Sequence, residues 1–244
     1  MNDKTNLKTT ADIILSVGDE CRVAKQIKNA NLRKCAFPLD WMGYYDLKYA
    51  VHHFKTDFVD FFKNKTIEGQ KQSKNYNKLW VRDTDTNMLS VHHFTAEQDL
   101  EEQYTKQFLP VMLKRYHFVK KILQNAKHIM FVSQRQEDTD VFVEFLQEMH
   151  KLFPCRITLI NVRHDDKSDQ YDENHVNDYM TVKEIKINAD LRVLDYSFDD
   201  RRPDKLDSWV GNTPKWQEIL AGYQLPWKTR LKSLFRRRNI KWLR

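Results

Sequence analysis

The sequence predicts an α/β fold, in which a single domain has a mixed, largely parallel sheet flanked by helices and carries a basic C-terminal appendage. Two observations predict it. The apolar, β-branched runs Ile13–Val17 and Ile129–Val132 are typical of buried strands. An amphipathic pattern at Thr139–Leu152 lies between Ile129–Val132 and another apolar run at Arg156–Val162. A strand–helix–strand unit of this kind implies a right-handed parallel crossover.

Residues 12–94 are predicted to add three helices, a loop and a hairpin. The first helix, Asp19–Asn31, has apolar residues close to helical spacing and Asp19 as its N-cap. The next two helices have aromatic faces, the loop is rich in Lys, Gln and Asn, and the hairpin surrounds a polar turn. These elements are Asp46–Phe54, Asp57–Phe62, Lys63–Lys78, and the strand pair Leu79–Arg82 and Met88–Phe94.

Residues 95–224 continue the domain. Thr95 is predicted to cap a long helix, Ala96–Gln124, which Pro110 would kink. Later segments predict an acidic loop, two strands and a helix that contains Trp209 and Trp216. These are Ser168–Asp178, Thr181–Ile187, Leu191–Tyr196 and Pro203–Tyr223. We therefore divide the chain into a disordered N-terminus at 1–11, an α/β domain at 12–224 and a basic tail at 225–244.

Composition favours a globular cytoplasmic protein. The 244 residues are 41% hydrophobic and 12% aromatic, with only 5 Gly and 6 Pro, so a sizeable core is expected and disorder is not. The chain has no apolar run long enough to span a membrane and no secretory signal pattern, and its 3 cysteines suggest no disulfide framework. It also has no glycine-rich phosphate loop. We expect no cofactor and no metal, and packing explains the His52-His53 pair within an aromatic-rich helix.

Cys21 is the candidate nucleophile. It follows the strand Ile13–Val17 and the break at Gly18, and it lies in the first turn of the predicted helix. Unpaired N–H groups and the positive end of the helix dipole favour a thiolate there, and the same N–H groups can hold an oxyanion. The alternative is that Cys21 is a small buried apolar residue. Cys35 and Cys155 lack this strand–turn–helix setting.

The segment around Cys21 resembles the start of a bacterial family of papain-like cysteine peptidases. That family's pattern is strand–Gly–x–x–Cys–x–x–Ala, then Leu-Arg, then Pro-Phe-Asp-Trp; here Leu39 replaces the Phe. The resemblance covers roughly residues 12–160, through Gly18–Ala24, Leu32–Arg33, Pro38–Trp41, Val91–Phe94, Lys114–Tyr116 and His128–Val132. It implies a thiol enzyme more than it implies peptide substrates. Families of this kind also occur among proteins of surface-polysaccharide assembly, where acyl transfer would be the reaction.

A thiol nucleophile needs a base, and the base needs an orienting acceptor. His92 and His93 end a predicted strand, where their side chains point to opposite faces, so at most one can meet Cys21. The family pattern favours His92, with His93 next. Asp40, between large apolar residues, is the candidate that orients the imidazole. The alternatives are a half-buried, hydrogen-bonded imidazole pair and a turn or capping role for Asp40.

Five further residues are assigned to substrate binding. Those near the nucleophile and Asp40 are Gly18, Asp19 and Trp41. Arg115 and Arg135 are candidates for binding an anionic group, and Arg135 follows a strand at whose carboxyl end ligands of open α/β sheets bind. Surface charge pairs are the alternative for both arginines, and a capping role is the alternative for Asp19.

The formal net charge of +7 is concentrated in the tail. Residues 228–244 hold eight Lys or Arg and no acidic residue, interleaved with Leu, Phe, Ile and Trp. This pattern is typical of an interfacial basic helix, so we expect Leu225–Arg244 to bind an anionic membrane surface on its cytoplasmic face. Nucleic-acid binding is less favoured, since basic residues elsewhere are balanced by acids. Docking on the protein's own acidic surface is another alternative.

Two function classes follow. The leading one is a cytoplasmic Cys-dependent hydrolase or acyltransferase that takes an acyl or peptide-like substrate, with Cys21 as nucleophile, His92 or His93 as base and Asp40 as the orienting group. The other is a non-catalytic binding module for an anionic glycan or nucleotide-sugar intermediate, in which Arg115 and Arg135 do the binding.

Overall fold

The computed structural model describes residues 8–73, 76–168, 171–206 and 208–227. The strands are β1 (Thr9–Thr10), β2 (Ile13–Ser16), β3 (Met42–Gly43), β4 (Lys65–Ser73), β5 (Tyr76–Asp83), β6 (Leu89–Thr95), β7 (His128–Gln134), β8 (Arg156–His164), β9 (Met180–Lys186), β10 (Leu191–Phe198) and β11 (Tyr223–Gln224). The α-helices are α1 (Cys21–Asn29), α2 (Leu47–Lys55), α3 (Leu100–Gln103), α4 (Leu109–Leu123), α5 (Thr139–Leu152) and α6 (Thr213–Ala221), with a 3₁₀ turn at Pro38–Trp41 and a π-helical turn at Tyr104–Phe108.

The main sheet confirms the predicted fold class. Its strand order is β2-β7-β8-β10-β9, with three parallel pairings and an antiparallel edge strand β9. Successive side chains of β2 alternate between two cores: Ile13 and Leu15 pack with α2, α4 and α5, whereas Ile14 packs with α1 and α6. Because both faces of the sheet are covered by helices, its inner strands are continuous apolar runs rather than alternating ones.

A second, antiparallel sheet has the strand order β3-β6-β5-β4 and carries the two adjacent histidines on β6. It contains the predicted hairpin, as β5 and β6. The predicted loop Lys63–Lys78 is wrong for most of its length, because β4 pairs along β5 from Lys65 to Ser73. Most of the β4 side chains whose burial is described are exposed, so no apolar alternation marked it as a strand.

Three predicted helices are shorter or absent. Asp57–Phe62 forms turns, and the positive φ values of Asp57, Phe58 and Phe62 are incompatible with a right-handed helix. The helix predicted from Ala96 begins at Leu100, with Asp99 as its cap through a 2.9 Å bond from the Glu102 N–H. The helix predicted at Pro203–Tyr223 is shortened to α6, where the Asn212 side chain caps the first turn.

The N-terminal boundary also needs correction. Thr9 and Thr10 form β1, which pairs in parallel with β11, so the predicted disordered segment 1–11 does not extend to residue 11. The basic tail predicted at 225–244 lies outside the described residues from position 228 onward. Among the described helices, none is long and apolar enough to cross a membrane.

Candidate active site

A cleft of about 650 Å³ opens where β2 leads into α1, beside β6. Cys21 and His92 both line it. The rest of the lining combines acids, lysines and aromatic or apolar groups: Asp19, Glu20, Lys25, Lys28, Trp41, Gly43, Tyr44, Lys71, Leu89, Val91 and Trp209. Of the five predicted substrate-binding residues, Asp19 and Trp41 therefore line this cleft.

Two glycines shape the turn that presents Cys21. A Cβ on Gly18 would lie 2.4 Å from Val23 Cγ2, so the strand end can pack against α1 only without a side chain. A Cβ on Gly43 would lie 2.8 Å from the Asp19 carbonyl oxygen, which accepts a 3.0 Å bond from the Tyr44 N–H. These close approaches hold the Cys21 turn against β3. Gly18 thus supports the cleft from behind rather than lining it.

The first turn of α1 begins at Cys21 itself. Its N-cap is Glu20, whose extended backbone precedes the helix, and no side-chain hydrogen bond caps this end. The prediction that Asp19 is the N-cap is therefore wrong by one residue. The first N–H groups of a helix have no intrahelical carbonyl partner. They are the donors available to an oxyanion next to Cys21.

The thiolate expected at Cys21 is not the resting form. Burial, followed by the charge of Glu20, raises the pKa of Cys21 to about 11, and a hydrogen bond from its own backbone N–H opposes this only in part. The half-buried residue is therefore a thiol near neutral pH. The helix N-terminus favours an anion, but desolvation outweighs it here.

The two histidines lie on opposite faces of β6, as predicted. His92 faces the cleft, with its ring edge-on to Trp41 at a centroid distance of 5.8 Å. His93 packs edge-on to Phe108, and its Nδ1 lies 2.8 Å from the Ser90 hydroxyl. Burial is the main cause that lowers the pKa of both, that of His93 to about 3. Both rings are therefore neutral near pH 7, and His92 is the one that shares the cleft with Cys21.

Asp40 contacts Arg33 and the backbone of its own 3₁₀ turn. Its Oδ2 accepts bonds from Arg33 Nε at 3.0 Å, from Arg33 Nη2 at 2.5 Å and from the Phe37 N–H at 2.8 Å. Burial raises the pKa of Asp40, and the Arg33 charge opposes the rise. The Arg33 guanidinium also lies 5.8 Å from the Trp41 ring centroid. Arg33 therefore links the Asp40 carboxylate to the Trp41 ring, which in turn packs against His92.

The predicted anion-binding arginines do not line the cleft. Arg135 is 3% exposed, and its guanidinium donates to the carbonyls of Val17 at 2.9 Å and Tyr45 at 2.6 Å. It braces the end of β2 behind Cys21. Arg115, on α4, lies 3.7 Å from the Met112 sulfur, and burial lowers its pKa despite the charge of Asp40.

Trp209 lines the cleft and Arg22 binds its backbone, and the sequence analysis assigned neither to the site. Arg22 donates to the Trp209 carbonyl at 2.8 Å and pairs with the buried Asp200 carboxylate at 2.7 Å. This pair brings the loop after β10 to the cleft mouth, where Trp209 is 52% exposed. The one signal in the sequence was a Trp within a polar stretch. It was not recognised because its spacing from Trp216 also fits a helix, and Trp209 was assigned to one.

Comparison with known protein families assigns the chain to one of them. The sequence model of a family described as "Putative papain-like cysteine peptidase (DUF1796)" matches residues 12–165. The chain belongs to this family. The match contains Cys21, Asp40 and both histidines of β6. No curated protein and no solved structure matches the chain.

The family's description names a cysteine peptidase, and one of the chain's three cysteines, Cys21, lies at the start of a helix. All three cysteines are free. Burial raises the pKa of Cys35 to about 11 and also raises that of Cys155. Neither lines the cleft. Of the three cysteines, Cys21 is therefore the one that lines the cleft together with a histidine.

Proposed function

We propose that this protein is a cysteine-dependent hydrolase or acyltransferase that forms a thioester on Cys21. The observation that carries the proposal is that Cys21, at the first residue of α1, and His92, on β6, line one cleft. Acyl transfer by a thiol needs a nucleophile and a general base close to one another, and this cleft is lined by both a thiol and an imidazole.

The proton must leave the thiol during the attack. With a pKa of about 11, ionising Cys21 at pH 7 before the reaction would require about 5 kcal/mol. A neutral His92 can take the proton as the S–C bond forms, while the carbonyl oxygen becomes an oxyanion beside the first N–H groups of α1. When the intermediate collapses, the leaving group takes that proton from His92 and the thioester remains.

The second half-reaction decides between hydrolysis and transfer. Water or an acceptor hydroxyl or amine gives its proton to His92 and attacks the thioester, and Cys21 leaves as the thiol. An acceptor hydroxyl on a glycan would make the protein an acyltransferase of surface-polysaccharide assembly. The cleft lining favours an acyl substrate with a negative charge, because its three lysines, Lys25, Lys28 and Lys71, outnumber its two acidic residues. The aromatic rings of Trp41 and Trp209 add apolar surface to the same lining.

The second candidate function is non-catalytic binding of an anionic glycan or nucleotide-sugar intermediate in the same cleft. Two observations favour it: the lysine and aromatic lining, and the raised pKa of the Cys21 thiol. In this case the lysines of the cleft would take the role that the sequence analysis gave to Arg115 and Arg135.

The test is to trap the acyl-enzyme. Full-length protein is incubated with an activated phenyl ester that carries a carboxylate, and the modified residue is found by peptide mass spectrometry. We expect stoichiometric acylation of Cys21, abolished in Cys21→Ser and retained in the matched control Cys35→Ser. Adding acceptor alcohols then separates transfer from hydrolysis. If ester binds but Cys21 is never acylated, the binding module is the correct function.

We also propose a cytoplasmic location with peripheral attachment to the inner face of a membrane through Leu225–Arg244. The support is the sequence of that segment, with its eight cations and interleaved apolar residues. This proposal is independent of the chemistry at Cys21.

A further inference from the structure

A second group of candidate ligands lies outside the cleft, where α2 ends. His52 and His53 belong to the last turn of α2, and Asp60 lies in the turns that follow. One ligand atom from each residue lies within 4.8 Å of the other two. The three side chains also line a separate cavity of about 350 Å³.

The environment of His53 is the observation that indicates a bound ligand. It is 1% exposed, and neither of its ring nitrogens has a hydrogen-bond partner. The nearest carboxylate oxygen, Asp60 Oδ1, lies 3.5 Å from Nδ1. A buried polar atom without a partner is costly, so an imidazole in this position needs an explanation.

The orientation of the His53 ring is fixed by packing. It stacks on Phe58 at a centroid distance of 5.3 Å and meets the edge of Phe61 at 4.9 Å. The ring therefore cannot turn to find another partner without displacing two fully buried aromatic side chains.

Asp60 is held in place by its other contacts. Its Oδ2 lies 2.5 Å from His52 Nε2, and its Oδ1 accepts a 2.9 Å bond from the Thr56 hydroxyl. Thr56 thus orients the carboxylate as an outer-shell residue does in metal sites. The neighbouring Asp83 is not included among the ligands, because its carboxylate already accepts hydrogen bonds from the Phe62, Asp85 and Thr86 N–H groups.

We propose that His52, His53 and Asp60 bind one Zn²⁺ ion, with a fourth position open to the cavity. Two imidazoles and one carboxylate are a typical donor set for zinc, whereas Mg²⁺ and Ca²⁺ prefer oxygen ligands. Ligand atoms about 2.0–2.1 Å from a tetrahedral ion lie about 3.3 Å apart. Asp60 approaches His52 Nε2 at 2.5 Å through Oδ2 and His53 Nδ1 at 3.5 Å through Oδ1. Because one ligand atom from each residue lies within 4.8 Å of the other two, shifts of up to about 1.5 Å would bring the three to this spacing.

Zinc would stabilise the connection between α2 and β4. That connection contains three residues in the left-handed region, Asp57, Phe58 and Phe62, which is unfavourable for bulky side chains. The ion would tie Asp60, in the middle of these turns, to the end of α2. Since the ligands come together only in the folded chain, zinc binding adds to folding stability.

The experiment is a titration of the full-length, chelator-treated protein with Zn²⁺, together with thermal unfolding. We expect one bound equivalent and a higher Tm. The Co²⁺ form should show the visible absorption of a tetrahedral site. His52→Gln and Asp60→Asn should each weaken Zn²⁺ binding at least tenfold and abolish the Tm increase. His117→Gln, an exposed histidine on α4, is the matched control and should bind as the wild type does.

Two outcomes would overturn the proposal. One is that the wild type binds no stoichiometric Zn²⁺. The other is that affinity stays within twofold in both His52→Gln and Asp60→Asn, because the ion would then be bound by cysteines or histidines elsewhere. Both variants replace partly exposed side chains with residues of similar shape, so they should fold, and far-ultraviolet circular dichroism of the metal-free proteins checks this.

Discussion

The reaction rate of the Cys21 thiol should keep rising with pH well into the range in which an ordinary cysteine is already largely ionised. At pH 7 a thiol with a pKa of about 11 is ionised to a fraction of about 10⁻⁴, whereas an ordinary thiol with a pKa near 8.5 is ionised to about 3%. The thiolate is thus about 300-fold scarcer. A more basic thiolate is intrinsically more nucleophilic, which restores about 10- to 20-fold. Cys21 should therefore react with a disulfide reagent about 15- to 30-fold more slowly than a small free thiol at pH 7.

The assay is stopped-flow disulfide exchange on a Cys35→Ala/Cys155→Ser background, so that only Cys21 reacts. The rate should rise about 100-fold from pH 7 to 9 and about tenfold again from pH 9 to 10, where an ordinary thiol rises only about 1.3-fold. Glu20→Gln should increase the rate at pH 7, because the Glu20 charge raises the pKa of Cys21. A rate that levels off by pH 8, or that equals the small thiol's at pH 7, would refute the reasoning.

Three further predictions concern the fold and the tail. Gly18→Ala should lower the free energy of unfolding in urea by about 1–3 kcal/mol, because the added Cβ would lie 2.4 Å from Val23. The control Gly222→Ala, whose Cβ would meet nothing within 3.8 Å, should leave stability unchanged or raise it. Equal effects of the two substitutions would contradict the packing argument. The free energy of unfolding should fall on acidification from about pH 6.5 towards pH 3, because His93 takes up a proton in the unfolded chain but not in the folded one, where its pKa is about 3. His93→Gln should reduce the slope of unfolding free energy against pH by up to about 1.4 kcal/mol per pH unit. An unchanged slope would show that His93 is not the source of the pH dependence. Full-length protein should sediment with anionic vesicles at low salt and a chain ending at Gln224 should not; identical sedimentation would exclude the tail as the membrane contact.

The sequence was most informative where burial sets the pattern. The strands β2, β7 and β8 and the helix α5 were predicted within two residues, because their side chains face the two cores on either side of the sheet. The turns at Asp57–Phe62 and the exposed strand β4 were missed. At Asp57–Phe62, the spacing of the buried phenylalanines resembles the apolar face of a helix, although the backbone forms turns. Strand β4 is held by backbone pairing with β5, and its side chains show no apolar alternation from which a strand could be predicted.

The candidate site was predictable in part for the same reason. Strand periodicity placed only one of the two β6 histidines on the face of Cys21, and the glycine before the helix marked Cys21 as the candidate nucleophile. The sequence could not predict the protonation state of Cys21, because desolvation depends on residues brought together only by folding. Nor could it predict that Trp209 reaches the cleft through Arg22 and Asp200, which are 178 residues apart in the chain.

The most direct test of the central claim is the rate of Cys21 acylation in wild type, His92→Gln and His93→Gln, measured with the same activated ester at pH 7. We expect His92→Gln to lower the rate by about 10²- to 10⁴-fold, the range for loss of a general base. His93→Gln should stay within a few-fold of the wild type, since His93 contacts Ser90 and Phe108 on the other face of β6. Acylation at the wild-type rate in His92→Gln would contradict the assignment of His92 as the base for Cys21.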